Sequence, residues 1–179
     1  MSNNLPNPEN LEYNILDKTS LQTVNNNIKE FSLNGNKFIC KLVDIYDADT
    51  CKVVFILNNK FTKFTCRLKD IDTPEMRPPK DKPDRDKEKI AAKKARNRLF
   101  QLATNVDLDI DKLYKRKEIR ELLEKNTKLI EINCNRFDKY GRVLGYLSDV
   151  DNNVTFNDIL VNEKYAQKYC GKKKLPFEF

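Results

Sequence analysis

Apolar and polar residues alternate along three consecutive segments in the first half of the chain, at about residues 38–46, 51–57 and 61–71. The segments are rich in β-branched and aromatic residues, and polar corners at residues 47–49 and 58–60 separate them. Short segments of this composition between polar turns predict β-strands. Their close succession predicts an antiparallel meander.

The apolar spacing then changes to that of a helix, at Ala92, Ala95, Leu99 and Leu102. This spacing predicts a helix that packs on the sheet. A second helix is predicted at residues 111–125, and two further strands at residues 129–134 and 143–147. Thr155 and Asp158 have the spacing of a capping box, which predicts the start of a short helix.

The predicted order is three strands, a helix, two strands and a final helix. It predicts an α+β fold class, a five-stranded OB-fold β-barrel with two to three helices. The barrel domain is expected at residues 37–179, with an inserted helical segment at about residues 106–127. Residues 1–36 are rich in Asn and poor in apolar periodicity, which predicts a flexible N-terminal arm.

The charge of the chain favours a polyanionic partner. Lys and Arg number 34 against 27 Asp and Glu, which gives a net charge of +7. Such a balance favours DNA or RNA over an acidic small molecule, although a basic protein without such a partner would have the same charge. The length of 179 residues fits one domain with tails, and a monomer is expected.

The composition also predicts the cellular location of the protein and the redox state of its cysteines. No segment approaches the roughly 20 apolar residues that cross a bilayer, so no membrane partner is expected. The polar start MSNNLPNPEN lacks the order of a secretory signal, which predicts an intracellular, cytoplasmic location. The five cysteines have no CxxC spacing, and four lie in strand-like segments, which predicts reduced, buried thiols rather than disulfides or zinc ligands.

Histidine is absent from the chain. This excludes serine and cysteine triads, phosphodiesterases built on paired histidines, and histidine-ligated metals. A nucleophile must therefore be activated by a carboxylate, a lysine, a tyrosine or a metal-bound water.

The stretch RLKDIDTPE, residues 67–75, combines a guanidinium, carboxylates and a proline. Arg67 alternates with apolar neighbours, so its side chain is expected to point away from the apolar face. Pro74 has a fixed φ and biases the residue before it toward extended backbone, which holds Asp72 and Glu75 in a defined relation. The stretch therefore predicts a cation site beside an anion-binding group.

Residues 76–89 follow this stretch and carry three prolines among many charges. The composition predicts a mobile surface loop rather than a regular element. Its position leaves two interpretations open, a lid that closes over a substrate and a solvated linker.

Asp49, Asp72 and Glu75 supply carboxylate oxygens without histidine or paired thiols. This is the ligand chemistry of Ca²⁺ or Mg²⁺ rather than zinc, and Ca²⁺ is the expected cofactor. The spacing is not that of an EF-hand, so the fold must assemble the site. Taken singly, carboxylates at turns usually cap backbone groups, and surface arginines usually pair with acids.

Three motifs in one order carry a family resemblance. DADT at residues 47–50, RLKDIDTPE and DKYGR at residues 138–142 resemble the staphylococcal nuclease (thermonuclease) family. The resemblance covers roughly residues 37–170, and the DTPE and DKYGR pair is its most discriminating part. The chain departs from the family pattern at Ala48, where the family often has glycine, and in the length of the segment at 106–127.

The resemblance implies a role for each matching residue. The implied metal ligands are Asp49, Asp72 and, through its backbone carbonyl, Thr73. The implied catalytic residues are Arg67, Glu75 and Arg142. Glu75 would position or deprotonate the attacking water, and the two arginines would stabilise the charge of the transition state, a task that suits a planar, permanently charged guanidinium.

Three further residues match or adjoin nucleotide-contacting positions of that family. Lys139 and Tyr140 would contact a neighbouring phosphate and nucleotide, or they are simply turn residues. Tyr169 lies within one residue of a base-stacking tyrosine, and stacking on an aromatic ring tolerates any sequence. A tyrosine of the protein core is the other interpretation of Tyr169.

These expectations define two functions. The first is a calcium-dependent endonuclease that hydrolyses DNA, or DNA and RNA, with little sequence specificity; the resemblance implies 3′-phosphate ends. The alternative is a noncatalytic OB module of the same type that binds nucleic acid or a protein partner. Such a module needs the barrel and the basic surface, whereas the complete set of carboxylates and arginines favours the enzyme.

Overall fold

A computed structural model describes residues 15–171 and 176–177 of the chain. The chain divides into two compact units, Met1–Phe31 and Ser32–Phe179. The first unit contains helix α1, Ile15–Thr23, in a region where the residue pattern predicts a flexible arm. Residues 1–14 of the predicted arm lie outside the described residues.

The second unit contains strands and helices in alternation. Its strands are β1 Lys37–Asp47, β2 Thr50–Leu57, β3 Lys60–Leu68, β4 Ile71–Asp72, β5 Ile130–Phe137, β6 Val143–Ser148 and β7 Gln167–Lys168. Its helices are α2 Arg85–Thr104, α3 Arg116–Lys125 and α4 Phe156–Asn162. No helix in the described part of the chain is long and apolar enough to span a membrane.

Five of the strands form a closed barrel in the order β1-β2-β3-β6-β5. The pairs β1–β2 and β2–β3 are antiparallel, so the predicted meander is confirmed. The pair β3–β6 is parallel, so the barrel is mixed. The α+β fold class with a closed five-stranded barrel is confirmed, and its architecture is compatible with an OB-fold.

The core of the barrel contains most of the cysteines. Cys40, Cys51, Cys66 and Cys134 are buried, and all of them are free, as is the exposed Cys170. Burial raises the pKa of the Cys134 thiol to about 12 and that of the Cys40 thiol further. The prediction of buried thiols outside disulfides is confirmed for these four residues, and the raised pKa values make Cys40 and Cys134 poor nucleophiles.

Helix α2 begins at Arg85, so the predicted loop at residues 76–89 is too long by its last five residues. The first turn is charged, and the apolar helical spacing becomes visible only at Ala92. The side chain of Glu88 nevertheless lies buried at 1% exposure, with the Lys82 ammonium 2.7 Å from its carboxylate. This buried charged contact starts the helix earlier than the apolar spacing indicates.

Helix α3 occupies the inserted segment, although it begins at Arg116 rather than at residue 111. Its Ile119 and Leu123 are buried in the hydrophobic core that the barrel strands and helix α2 also form.

The buried carboxylate of Asp44 in β1 accepts hydrogen bonds from Arg116, at 2.6 and 3.0 Å, and from Arg120, at 2.8 Å. Burial disfavours the charge of Asp44, but these guanidinium hydrogen bonds outweigh it and lower its pKa to about 2.

We expect Asp44→Asn to lower the free energy of unfolding by about 1–2 kcal/mol, because both arginines lose a charged acceptor. The pKa of Asp44 is lower in the folded protein than in the unfolded chain. The stabilisation is therefore present above about pH 4 and is lost as the pH falls toward 2. Urea unfolding at pH 7 and pH 3 measures both effects.

Glu121→Gln is the matched control, because its 3.8 Å pair with Lys117 lies on the exposed side of the same helix. That change should alter stability by less than about 0.5 kcal/mol. Equal effects of the two substitutions would contradict a specific role of Asp44 in holding α3 to the barrel.

Candidate functional site

A cleft of about 480 Å³ opens at one end of the barrel. It is lined by Tyr46, Asp47, Asp49, Thr50, Arg67, Thr73, Glu75, Lys139, Tyr140, Arg142 and Tyr169. The lining includes eight of the nine predicted site residues. The ninth, Asp72, lies buried beside the cleft and contacts Arg67. The fold therefore brings together three motifs that are far apart in the sequence.

The corner between β1 and β2 carries the first acidic motif. The hydroxyl of Thr50 donates a 2.7 Å hydrogen bond to the Asp49 carboxylate, and the Leu68 N–H donates one of 2.8 Å to the Asp49 carbonyl. Ala48 is fully buried, and its φ is not positive, so the corner does not need a glycine. An alanine therefore fits the corner that forms here.

Arg67, near the end of β3, joins two of the predicted metal ligands. Its guanidinium donates hydrogen bonds to Asp49, to Asp72 at 3.3 Å and to the carbonyl of Ile71 at 3.3 Å. The side chain is only 15% exposed. Burial acts to lower the pKa of Arg67, but the two carboxylates outweigh it and hold that pKa above its ordinary value. Arg67 therefore organises the acidic residues as well as lining the cleft.

Asp47 is an acidic residue of the cleft that the set of predicted ligands leaves out. One of its carboxylate oxygens is buried and has no hydrogen-bond partner within the described residues. Burial, together with repulsion from Asp49 and Glu75, raises the pKa of Asp47 to about 8. The DADT motif indicates that Asp47 could join the site, because Asp47 and Asp49 flank one tight corner.

The donor types at this corner fit a hard divalent cation. Carboxylate and carbonyl oxygens, such as those of the acidic residues and of Thr73, are the ligand types that calcium takes. One buried carboxylate oxygen of Asp47 lacks a hydrogen-bond partner among the described residues. The pairing of these acids limits how a cation could bind. In the described part of the chain, no three acidic, histidine or cysteine side chains are grouped as a metal site. A cation here would share Asp49 and Asp72 with Arg67.

Glu75 reaches the cleft from the chain that follows β4. Its side chain is exposed, whereas Thr73 before it is buried at 3% exposure. Its backbone N–H donates a 3.3 Å hydrogen bond to the carboxylate of Glu88 in the first turn of α2. The backbone of Glu75 is thus restrained by Glu88, and the residue lines the cleft.

The turn between β5 and β6 supplies the second arginine. The carboxylate of Asp138 accepts hydrogen bonds from the backbone N–H groups of Tyr140 and Arg142, both at 2.9 Å, and from Nε of Arg142 at 2.7 Å. Gly141 has a φ of +75°, which favours glycine. Asp138 was not among the predicted site residues, although it opens the DKYGR motif. It orients Arg142 through Nε. Among the described residues this is the acidic contact of the guanidinium, so its outer end could meet an anion.

Tyr140 lies on the surface of this turn rather than in the core. Its side chain is 71% exposed, and the Lys139 ammonium and Arg142 guanidinium lie 5.1 and 5.4 Å from its ring centre. An exposed ring between two cations suits a nucleotide, because the ring can stack on a base while the cations meet phosphates.

Tyr169 reaches the cleft through the pairing of β7 with β4. That pairing aligns Ile71 with Lys168 and Asp72 with Gln167, and the Tyr169 N–H donates a 2.8 Å hydrogen bond to the Asp70 carbonyl. Tyr169 is half-buried and lines the cleft. Its placement beside the acidic residues depends on a contact between segments almost 100 residues apart.

Comparison with known proteins assigns no family to the chain. No protein-family model matches it, and no curated protein sequence matches it significantly. The functional interpretation therefore depends on the barrel, the cleft and the residues that line it.

Proposed function

We propose that the protein is a calcium-dependent nuclease that hydrolyses phosphodiester bonds of DNA, or of DNA and RNA, with little sequence preference. The observation that carries this proposal is one cleft that contains two arginines, an acidic corner, a further carboxylate and an exposed tyrosine. The three motifs that line it are those of the staphylococcal nuclease family, to which we assign the chain as part of the proposal. Family resemblance alone supplies the expectation of 3′-phosphate ends.

The cations of the cleft match a polyanionic substrate. A phosphodiester repels anionic nucleophiles, so its charge must be offset before water can attack. Arg142 is presented by a turn that its own Asp138 holds in place, and Lys139 adds a second charge beside it. Arg67 adds another guanidinium, which pairs with Asp49 and Asp72. Preorganised donors of this kind stabilise the extra negative charge of the transition state.

Glu75 is the proposed general base. The chain has no histidine, and Glu75 is the cleft carboxylate that is exposed rather than buried against Arg67. Its carboxylate would accept the proton of the attacking water at one of its oxygens. The hydrogen bond from its backbone N–H to Glu88 restrains it at the cleft.

Asp49, Asp72, the carbonyl of Thr73 and the additional Asp47 are the residues that would hold calcium. When bound, a divalent ion supplies charge neutralisation at the phosphate and lowers the pKa of coordinated water. Their carboxylates repel one another, as the raised pKa of Asp47 indicates, and a bound cation would relieve that repulsion.

A cleavage assay tests the proposal. Purified protein is incubated with single-stranded DNA, double-stranded DNA and RNA in calcium, magnesium or EDTA, and the ends of the products are identified by labelling. The expected result is cleavage that calcium supports and EDTA abolishes. Cleavage that survives EDTA would overturn the mechanism. Binding without cleavage under all these conditions would support the noncatalytic OB module instead.

Calcium is also expected to stabilise the folded protein, since a ligand that binds only the native state at 100 times its Kd adds about 2.7 kcal/mol. Thermal unfolding with and without calcium measures this shift. Asp49→Asn should abolish most of it, whereas Asp84→Asn, an exposed acid outside the cleft, should leave it unchanged. Asp49→Asn also removes the ion pair with Arg67, which lowers the melting temperature with or without calcium. The rise in melting temperature on adding calcium, compared between variants, therefore reports metal binding alone. An equal shift in wild type and Asp49→Asn would contradict the assigned ligand.

A further inference from the structure

Glu88 is a buried acid that none of the sequence motifs includes. Its side chain is 1% exposed, in the first turn of α2. A buried carboxylate is costly unless charges or hydrogen bonds compensate for it. Here one oxygen accepts the backbone N–H of Glu75 at 3.3 Å, and the other lies 2.7 Å from the ammonium of Lys82.

These two contacts lie at opposite ends of one loop. Glu75 precedes the proline-rich segment at residues 76–84, and Lys82 lies near its end, just before α2. Glu88 therefore joins the start of the loop, the end of the loop and the helix at a single buried point. Because α2 packs into the core through Leu99 and Phe100, this point is fixed relative to the barrel.

The contact with Glu88 restrains the backbone of Glu75. Its side chain is exposed, so restraints on the backbone contribute to its position. Pro74 restricts the chain on one side, and the bond to Glu88 restrains the N–H of Glu75 itself. Displacement of a reacting group by about 1 Å can cost on the order of 10²-fold in rate, so such a restraint has a catalytic effect.

We propose that Glu88 is a positioning residue, which holds the general base Glu75 at the cleft through its backbone N–H and is itself held by Lys82. This inference rests on the proposed nuclease function for its catalytic part. Its structural part, the restraint on the Glu75 amide, can be measured without activity.

Glu88→Met tests the inference, because Met has a similar volume and helix propensity but cannot accept a hydrogen bond. Glu88→Gln is the conservative variant, because its amide oxygen can still accept the Glu75 N–H. Asp86→Asn is the matched control: it removes an acid from the same helical turn, but its side chain is 85% exposed. All variants are compared at temperatures where circular dichroism shows a folded protein.

We expect Glu88→Met to lower kcat by about 10- to 100-fold with KM within about threefold, because positioning affects the chemical step rather than substrate binding. Glu88→Gln should restore most of this loss, and Asp86→Asn should behave as wild type. Hydrogen exchange measured by NMR should show the Glu75 amide exchanging at least about 10-fold faster in Glu88→Met only.

The outcomes separate the two proposals. If wild type does not cleave nucleic acid but Glu88→Met still releases the Glu75 amide, the nuclease proposal fails and the restraint stands. If wild type cleaves and Glu88→Met keeps both the wild-type kcat and a protected Glu75 amide, the positioning role is overturned. A rise in KM with unchanged kcat in Glu88→Met would also overturn the positioning role, since that pattern indicates weaker substrate binding.

Discussion

Glu75→Gln is expected to lower kcat for DNA cleavage by about 10²- to 10⁴-fold, the usual contribution of a positioned general base. The amide has nearly the same shape as the carboxylate but cannot accept the proton of the attacking water. The backbone N–H of residue 75 still reaches Glu88, so the geometry of the chain is retained. Initial rates at saturating DNA in calcium measure the effect.

Stability should change little in this variant, because the Glu75 side chain is exposed and exposed substitutions usually alter stability by less than about 0.5 kcal/mol. Glu124→Gln provides a control that removes the same charge from an exposed position on α3. A kcat within threefold of wild type for Glu75→Gln would remove Glu75 from the proposed mechanism.

Arg142→Lys is expected to lower kcat by about 10²- to 10³-fold, because loss of one preorganised charge donor costs about 3–4 kcal/mol of transition-state stabilisation. Lysine keeps the charge but cannot present the planar fork of a guanidinium to a phosphate. Single-turnover cleavage of a short DNA measures the chemical step directly.

Comparing Arg67→Lys with Arg142→Lys separates an effect on cleavage from an effect on stability. Both changes should slow cleavage, but Arg67 also binds Asp49 and Asp72 in a nearly buried position. Loss of the Arg67 guanidinium should lower the free energy of unfolding as well, by about 1–3 kcal/mol. Arg142→Lys loses only the Nε contact with Asp138 and should lower it by less than about 1 kcal/mol. Equal stability of the two variants would contradict the organising role of Arg67. Undiminished cleavage by Arg142→Lys would contradict its role at the phosphate.

The strands of the barrel could be predicted because their pattern is local. Side chains alternate across a strand, so residues 61–71 carry their apolar face in the sequence itself, and Cys66 and Leu68 are indeed buried. The cap of α4 is also local, and the Thr155 hydroxyl accepts the Asp158 N–H at 3.1 Å as predicted. The α2 boundary was missed because a charged first turn resembles a loop until its tertiary partner is known.

The residues of the cleft were predicted by type and motif, without their partners. Arg67 was expected beside carboxylates, and the bridge to Asp49 and Asp72 appears only when β2 pairs with β3 and the chain turns into β4. Asp138 and Glu88 were missed because each acts through another residue. A carboxylate in a charged segment has no sequence signal that distinguishes a buried acceptor from a solvated side chain.

The sequence by itself determined which chemistry is available: no histidine, many basic residues, and acidic motifs next to proline and glycine turns. It also determined the strands, because periodicity and turn residues act over a few positions. Only the tertiary structure decided which charges share a buried space. Asp44 holds α3, Arg67 joins two acids and Glu88 restrains Glu75 because barrel closure and helix packing bring distant residues together, and burial makes each of these charges depend on its partner.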